Sequence, residues 1–475
     1  MAQVRTASAP LALAVQVVAP PLRGETAVAA LRARGVEARI ASEAADSEEL
    51  VALALAAPPS AARAVELAAQ CARAAANGRP MCVLAPPPRG SDRAAVERSA
   101  ALACLRASGA VLGHDVDAWL EAIVALVCFG LPHGPRVAVI APAGSWLEAQ
   151  TLVLVAEAEG LGARPPQLAG EHTRAKGEPT DVVLFDPALT PAPAQLPGNA
   201  IAMHVVGRGE VAGTGMLHGM RGALGAIDML GRTAERIAAG IGPADKADQA
   251  ELSIDLAKFA PRLAKLRGDH RVGDHDTKLL LDAYGVAITR QAVATTPSAA
   301  VQKARAVGYP VEIKPWGPDV LPESEGTPVE RNVTSDALVR RAFTSVLTAA
   351  GRPPTAEEDG AVIVRETPPL GRYVSARFLR LASLGWTVVL DINGQVAAAP
   401  APLRAIDAAT LAASIVASRA ADSEPDRAGL ANLLRRASHL VVDLDARLVK
   451  LELPRIVVGG RGSRTVVVDA WCELA

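Results

Sequence analysis

The sequence predicts an α/β protein: parallel-sheet domains built from βαβ units, followed by a C-terminal α+β domain. Three observations carry this. Up to about residue 235, short apolar runs alternate with small-residue turns and alanine-rich helical stretches, as strands joined by crossover helices do. After about residue 269, helices mix with strands such as "GWTVVLDING" and "SRTVVVDAW", which read as antiparallel hairpins. Half of the residues are hydrophobic but only 3% are aromatic, so the core must be built from Ala, Val and Leu, which suits helices on sheets. The 475 residues exceed what one core holds; at ~100–200 residues per domain they predict about three.

Taken in order, "LALAVQVVAPP" (11–21) is the first strand and "GETAVAALRARG" (24–35) a helix ending at glycine. "VEARIAS" follows as a strand, then a long alanine-rich helical stretch to Gly78, then the buried strand "RPMCVLAPPP" (79–88). These make a first domain over 10–130. A second, over 134–235, opens with the strand "GPRVAVIAPAG" (134–144). The helix "SWLEAQTLVLVAEAEGLG" comes next, and "DVVLFDP" (181–187) supplies the next strand. The Pro- and Gly-rich stretch 187–199 reads as a surface loop. Residues 236–268 are polar and broken by Gly and Pro, a linker with helical pieces, and 269–475 forms the last domain.

Charge excludes some functions. With 49 basic and 50 acidic residues, no electrostatic footprint for nucleic acid or an anionic membrane is present. No apolar run is long enough to span a bilayer. The apolar N-terminal segment lacks a clear cleavage site and reads as a strand rather than a signal peptide. The five cysteines (Cys71, Cys82, Cys104, Cys128, Cys472) show no metal-like spacing and fit buried thiols in a reducing cytoplasm. A soluble cytoplasmic protein is expected.

One residue stands out. In "GYPVEIKPWGPDV", Lys314 ends an apolar strand and is followed at once by Pro315, Trp316 and Gly317. A cation on a rigid strand can neutralise phosphate at little ordering cost; a lysine snorkelling at a strand end is the plain alternative.

"DTKLLLDAYGVAITRQAVATTPSAAVQKARAVGYPVEIKPWGPDV" (276–320) resembles the opening of the ATP-grasp domain of NDP-forming acyl-CoA synthetases, the ADP-forming acetate–CoA ligase family related to succinyl-CoA synthetase. The matching features are a helix ending "LL-x-x-YG", then a strand, then "A…GYPV-x-x-K" and "PD". "VIVRETPPLGRYVSARF" (362–378), "APL" (401–403) and "VVVDA" (466–470) also fit. The upstream units are similar to the paired flavodoxin-like, succinyl-CoA-synthetase-like domains of fused members. The resemblance implies ATP or ADP with Mg²⁺, Lys314 on the phosphates, Glu366 on the hinge strand, and Glu452 with Asp469 as metal-binding carboxylates. The family's N-terminal CoA-binding domain has no counterpart before residue 10, so it is lost or supplied by another chain.

The family passes a phosphoryl group through histidine, and here this chain departs from the pattern. The loop expected to carry the first phosphohistidine reads "RGSDRAAVERSAALACLRASGA", with none. The second motif, "P-D-I-x-H-K", is Pro318-Asp319-Val320-Leu321-Pro322-Glu323, with proline for the histidine and glutamate for the lysine. Thr327-Pro328 stands for a glycine pair, Glu452-Leu453-Pro454-Arg455 for "D-I-N-P", and Val18-Ala19-Pro20-Pro21 for a phosphate-cradling turn. No residue is assigned as catalytic. His218 lies in glycine-rich "GTGMLHGMRGALGAIDMLG" (213–231), which reads as a small-residue helix packed on a sheet or as a phosphate loop. His114 reads as part of an N-capping region, His270 and His275 as a solvated loop, and Ser145 as a helix start.

Two functions remain. One is a degenerate, nucleotide-binding pseudoenzyme or partner subunit, working with a CoA-binding subunit or as a homo-oligomer. The alternative is an active ATP-dependent acyl-CoA ligase completed by a partner chain.

Overall fold

A computed structural model of the chain describes residues 14–42, 49–161, 167–169, 179–193, 196–207, 215–265, 271–317, 320, 323, 326–352, 360–414, 425–460 and 463–475. They fall into two compact units. One lies within Met1–Pro88 and Ala101–Gly242, the other within Arg89–Ala100, Pro243–Ile415 and Ala421–Ala475.

The chain begins with β1 (Val15–Val18), α1 (Pro21–Arg32), β2 (Ala38–Ile40), β3 (Leu50–Ala54), α2 (Ala61–Ala76), β4 (Cys82–Leu84), α3 (Arg93–Ala107), β5 (Val111–Gly113) and α4 (Val116–Phe129). It continues with β6 (Val137–Ile140), α5 (Trp146–Leu161), β7 (Gln167–Ala169), β8 (Val182–Phe185), β9 (Ile201–Val206), β10 (Leu217–His218) and α6 (Met220–Ala238). The strands make two five-stranded sheets, β2-β1-β3-β4-β5 and β10-β9-β8-β6-β7. All neighbours in both are parallel. Counted within each sheet, both follow the order 2-1-3-4-5 of doubly wound flavodoxin-like sheets.

The alanine-rich stretch ending at Gly78 is not one helix. It contains β3, "LVALA", buried at all five positions. A strand covered on both faces is a continuous apolar run with no alternation, and beside an alanine-rich helix its period is invisible. β7 was also unforeseen between α5 and β8; its three residues are too few to show a pattern.

Helices α4 and α6 pack against each other within one core that also takes in Val17, Val139, Leu184 and Met203 from the two sheets. Trp119 of α4 is buried and donates its Nε1–H to the Cys82 carbonyl at 3.0 Å. Glycines on α6 make the close approach possible. A Cβ on Gly225 would lie 2.9 Å from the Ala118 Cβ, and one on Gly231 would lie 2.3 Å from the Pro135 nitrogen. The part of the glycine-rich segment from Met220 on is therefore a small-residue face of α6.

The second unit holds α7 (Lys246–Ala250), α8 (Leu256–Lys265), β11 (Arg271–Val272), α9 (Asp274–Ala283), β12 (Gln291–Ala294), α10 (Pro297–Val307), β13 (Val311–Pro315), β14 (Glu330–Val333), α11 (Asp336–Ala349) and β15 (Val362–Glu366). After these come β16 (Gly371–Leu381), β17 (Gly385–Ile392), β18 (Gln395–Pro400), α12 (Ala405–Ala413), α13 (Arg427–Asp443), β19 (Leu448–Gly459) and β20 (Val466–Leu474). They build a four-stranded sheet, β12-β15-β13-β14, and a six-stranded sheet, β11-β20-β19-β16-β17-β18. Both are antiparallel. The β17–β18 hairpin turns at Asn393-Gly394, with φ of 53° and 80°, the positive values that a tight two-residue turn demands. α10 and α11 cover one face of the four-stranded sheet, where Val311, Ile313, Val362 and Val364 meet Val301 and Phe343. Within the segment expected as a linker, α7 is pinned by Asp248 to Arg404 at 2.9 Å. Among the described residues no helix is long and apolar enough to cross a membrane.

Gly231→Ala should lower stability by about 1–3 kcal/mol, because the added methyl meets backbone rather than a flexible side chain. The urea midpoint of the variant measures it; an unchanged midpoint would show that the 134–135 backbone can yield.

Candidate functional site

The charged face of the four-stranded sheet follows from period-two alternation. In β13, "VEIKP", Val311 and Ile313 point into the apolar core, so Glu312 and Lys314 point to the other side. In β15, "VIVRE", Val362 and Val364 are in the same core, leaving Arg365 on the face of Glu312, its partner in register.

Lys314 is 3% exposed, and its Nζ lies 2.7 Å from Asp274 Oδ2, 2.9 Å from Asp469 Oδ1 and 3.6 Å from Glu323 Oε1. Asp274 opens α9, and its Oδ1 accepts from the Ala470 N–H at 2.9 Å. One turn on, Lys278 Nζ lies 3.2 Å from Asp274 and donates to Thr289 Oγ1 and Gln291 Oε1 at 3.1 and 3.0 Å. Asp469, on β20, uses its second oxygen to accept from the Glu323 N–H at 3.1 Å. Arg365 is fully buried; it donates to Glu312 through Nε at 2.9 Å and to the Val468 carbonyl at 2.9 Å, and its Nη2 lies 2.5 Å from Glu323 Oε1.

The electrostatics follow this geometry. Burial pushes the Asp274 carboxyl up, but Lys278 and Lys314 outweigh it and hold the group well below the usual carboxylate range. Burial pulls Lys314 down, and Asp274 with Asp469 more than reverses that, so its pKa is raised. Lys278 has a weaker field of opposite charge, and burial brings it down to about 8 against Asp274. Burial likewise raises Glu323, but Arg365, Lys314 and Arg455 take it to about 2. Beside Lys314 is a cavity of about 10 Å³, lined by Asp274, Trp316, Asp469 and Trp471 among others. That is room for one water at most.

Of the four residues expected at the site, Lys314 and Asp469 are brought into contact. Glu366 is not with them: it ends β15 and accepts from the Arg290 N–H at 3.0 Å, from Arg290 Nε at 2.7 Å and from Arg464. Glu452, on β19, lies opposite Arg377 and Trp471, with its Oε1 3.9 Å from Lys450 Nζ. Among the described residues no group of three or more His, Cys, Asp or Glu side chains is arranged to hold a metal. Asp274, Lys278, Glu312, Arg365, Arg331 and Arg455 were missed. For Glu312 and Arg365 the alternation of "VEIKP" and "VIVRE" was the available signal. His114 Nδ1 lies 2.7 Å from the Ala85 carbonyl beside the capping Asp115, and His275 lies 3.2 Å from Gln291. Ser145 Oγ accepts from the Glu148 N–H at 3.2 Å at the start of α5. His270, Pro318, Asp319, Leu321 and Pro322 lie outside the described residues.

Residues 264–474 match the ATP-grasp domain family. This part of the chain is an ATP-grasp domain. Over 210 residues the chain is 26% identical to the Pyrococcus furiosus ADP-forming acetate–CoA ligase II subunit beta, covering 42% of this chain and 89% of that relative. Subunit beta of ligase I from the same organism is 28% identical over 141 residues, 29% of this chain and 60% of the relative. Among solved structures, the chain is similar to the dinucleotide-forming acetyl-coenzyme A synthetase 1 of Ca. Korarchaeum cryptofilum in complex with coenzyme A, Ca-AMPCP and HgCl+. That likeness has a TM-score of 0.41 and 24% identity over 46% of this chain and 100% of the other. The resemblance to ADP-forming acyl-CoA ligases thus holds over the ATP-grasp domain.

An ATP-grasp domain implies ATP or ADP with a divalent metal, and the residues described do not fit that pair as they are arranged. Both oxygens of Asp469 are engaged, by Lys314 and by the Glu323 N–H, and Glu452 does not join them. Lys314 is neutralised from two sides, and the cavity beside it has room for one water.

The reading of Lys314 as a phosphate contact carries the expectation that alanine there costs little stability. The geometry reverses it. Lys314→Ala leaves Asp274 and Asp469 buried without their shared partner and should destabilise the domain by ~3–5 kcal/mol, measured by denaturant unfolding. Lys278 provides a pH test. Its pKa is depressed from 10.5 to about 8, so the stability it contributes is present above 10.5 and lost as pH falls through about 8. The wild type should therefore gain stability relative to Lys278→Met as pH rises from about 8 to 10.5, while a constant difference would show that Lys278 titrates normally.

Proposed function

We propose that this chain is a divergent relative of the ADP-forming acyl-CoA ligases, with the ATP-grasp scaffold but no turnover of its own, acting as a partner subunit. The observation that carries the reading is Lys314, 3% exposed and held between Asp274 and Asp469 at 2.7 and 2.9 Å. A lysine neutralised by two carboxylates offers little charge to a nucleotide, and moving it would leave those carboxylates buried and unpaired. The absence of histidine from both motifs that would carry the phosphoryl group supports the same reading.

The two parallel sheets are read as flavodoxin-like domains of the succinyl-CoA synthetase type over 10–130 and 134–235, with 236–268 as linker and 269–475 as the ATP-grasp domain. Their shared strand order supports this. The relatives named as subunits beta support a second chain that brings a CoA-binding domain and a histidine loop; a homo-oligomer is the other arrangement. Residual ATP or ADP binding with Mg²⁺ would fall to the hinge strand and require Glu366 to be released from Arg290 and Arg464. The free thiols fit a reducing compartment, the cytoplasm.

Calorimetric titration of the full chain with Mg-ATP and Mg-ADP tests this, alongside an acyl-CoA formation assay with acetate and CoA. The expected result is no binding tighter than about 1 mM and no acyl-CoA. Acyl-CoA made by the isolated chain would overturn the proposal. So would tighter nucleotide binding that Lys314→Met abolishes in a folded protein.

A further inference from the structure

The stretch expected as a linker, 236–268, carries a helix too short to hold itself. α7 has five residues, and none of them is buried. An isolated helix below ~12 residues is marginal in water even for good helix formers, so α7 is held by what it touches. Its cap is local: Asp245 accepts from the Ala247 and Asp248 N–H groups at 2.8 and 3.1 Å, and Asp248 in turn accepts from the Asp245 N–H at 2.9 Å.

The contacts that fix it to the α12–α13 side of the second unit are polar. Arg404, at the N-cap of α12, brings Nη1 to 2.9 Å from Asp248 Oδ2 and Nη2 to 3.9 Å from Asp245 Oδ2. Arg435, on α13, donates from Nη2 to the Asp248 carbonyl at 2.8 Å and meets Glu251 Oε2 at 2.7 Å. Gln249 Nε2 donates to Asp443 Oδ2 at 2.6 Å, and the Ala244 N–H to the Pro402 carbonyl at 3.1 Å. The two arginine side chains are 11% and 12% exposed, whereas those of Asp245 and Glu251 are 62% and 65% exposed. The arginines are covered and the outer carboxylates lie where dissolved salt reaches them. Apolar burial comes after the helix, at Leu252. The next residue, Ser253, has a φ of 49°, in the left-handed region that favours glycine.

We propose that Arg404 and Arg435 form a docking surface for a short acidic segment, and that residues 244–251 fill it as an electrostatic strap, which pivots on Leu252 and lifts when charge is screened. Ion pairs with an exposed member weaken as salt rises, and a buried apolar side chain is not released that way. The strap therefore parts from α12 and α13 while its Leu252 anchor stays. Lifting it uncovers two guanidinium groups, whose planar forks of donors suit carboxylates. The inference rests on contacts within the second unit and is independent of nucleotide binding or turnover.

The test is trypsin cleavage after Lys246, the one lysine or arginine within 244–251, in the native full-length chain, with the cut bond identified by mass spectrometry. When opening and closing are fast, cleavage follows the population of the opened form. Measured against an unstructured peptide of the same sequence, cleavage should be about tenfold faster in ~1 M than in ~0.01 M sodium chloride. Arg435→Glu should be cut as fast at low salt. Combining Arg435→Glu with Glu251→Arg should make cleavage slow again, a rescue that a merely loosened α13 would not give. Cleavage indifferent to salt or to Arg435→Glu, or a double variant cut as fast as the single one, would overturn the proposal. Where Arg435→Glu does not fold by circular dichroism, Asp248→Asn with Glu251→Gln alters the strap and leaves α13 intact. That variant should be cut fast at low salt, and a wild-type rate would count against the strap in the same way.

Discussion

The ion triad of Lys314 with Asp274 and Asp469 is the constraint on which the ATP-grasp domain's interior depends. It ties the start of α9 to β13 of one sheet and β20 of the other. Removing charges from water costs several kcal/mol per ion, and only close geometry with further hydrogen bonds repays it. Those bonds are present: Asp274 takes the Ala470 N–H, and Asp469 takes the Glu323 N–H. Charge and backbone are satisfied together, so a shift of any one element exposes the rest.

The same strands that support this network also build the core behind it. β13 and β15 send valine and isoleucine towards α10 and α11 and send Glu312, Lys314 and Arg365 the other way. A residue slip in either strand would exchange the two faces, burying charge in the core and exposing the apolar set. Fold and candidate site therefore share one register. Cations satisfied in this way by the chain's own carboxylates offer little charge to an external anion.

The first unit meets a different constraint. Its core is alanine- and valine-rich, so its close contacts come from small residues, with Gly225 and Gly231 letting α6 approach Ala118 and the Gly134–Pro135 backbone. The glycines of α6, which follow His218, serve this packing. His218 itself lends its main-chain N–H to Glu121 at 3.0 Å.

The sequence by itself determined the alternation of strands and helices before residue 235, the change to antiparallel hairpins after 269 and the ATP-grasp resemblance around Lys314. These are local properties: hydrophobic period, turn residues and short motifs. β3 escaped because a fully buried parallel strand has no alternation to display. The pairing of Lys314 with Asp274, and with Asp469 as an ion-pair partner rather than a metal ligand, escaped for a different reason. Asp274 and Asp469 are 40 and 155 residues away along the chain, and only the packing of β13 against α9 and β20 decided that they meet its ammonium group. Glu452 and Asp469 sit on adjacent strands of one hairpin, yet Asp469 turns to Lys314 and Glu452 to Lys450. Spacing along a chain limits which groups can meet, but the side of the sheet each one takes, and the charge it finds there, is set by tertiary packing.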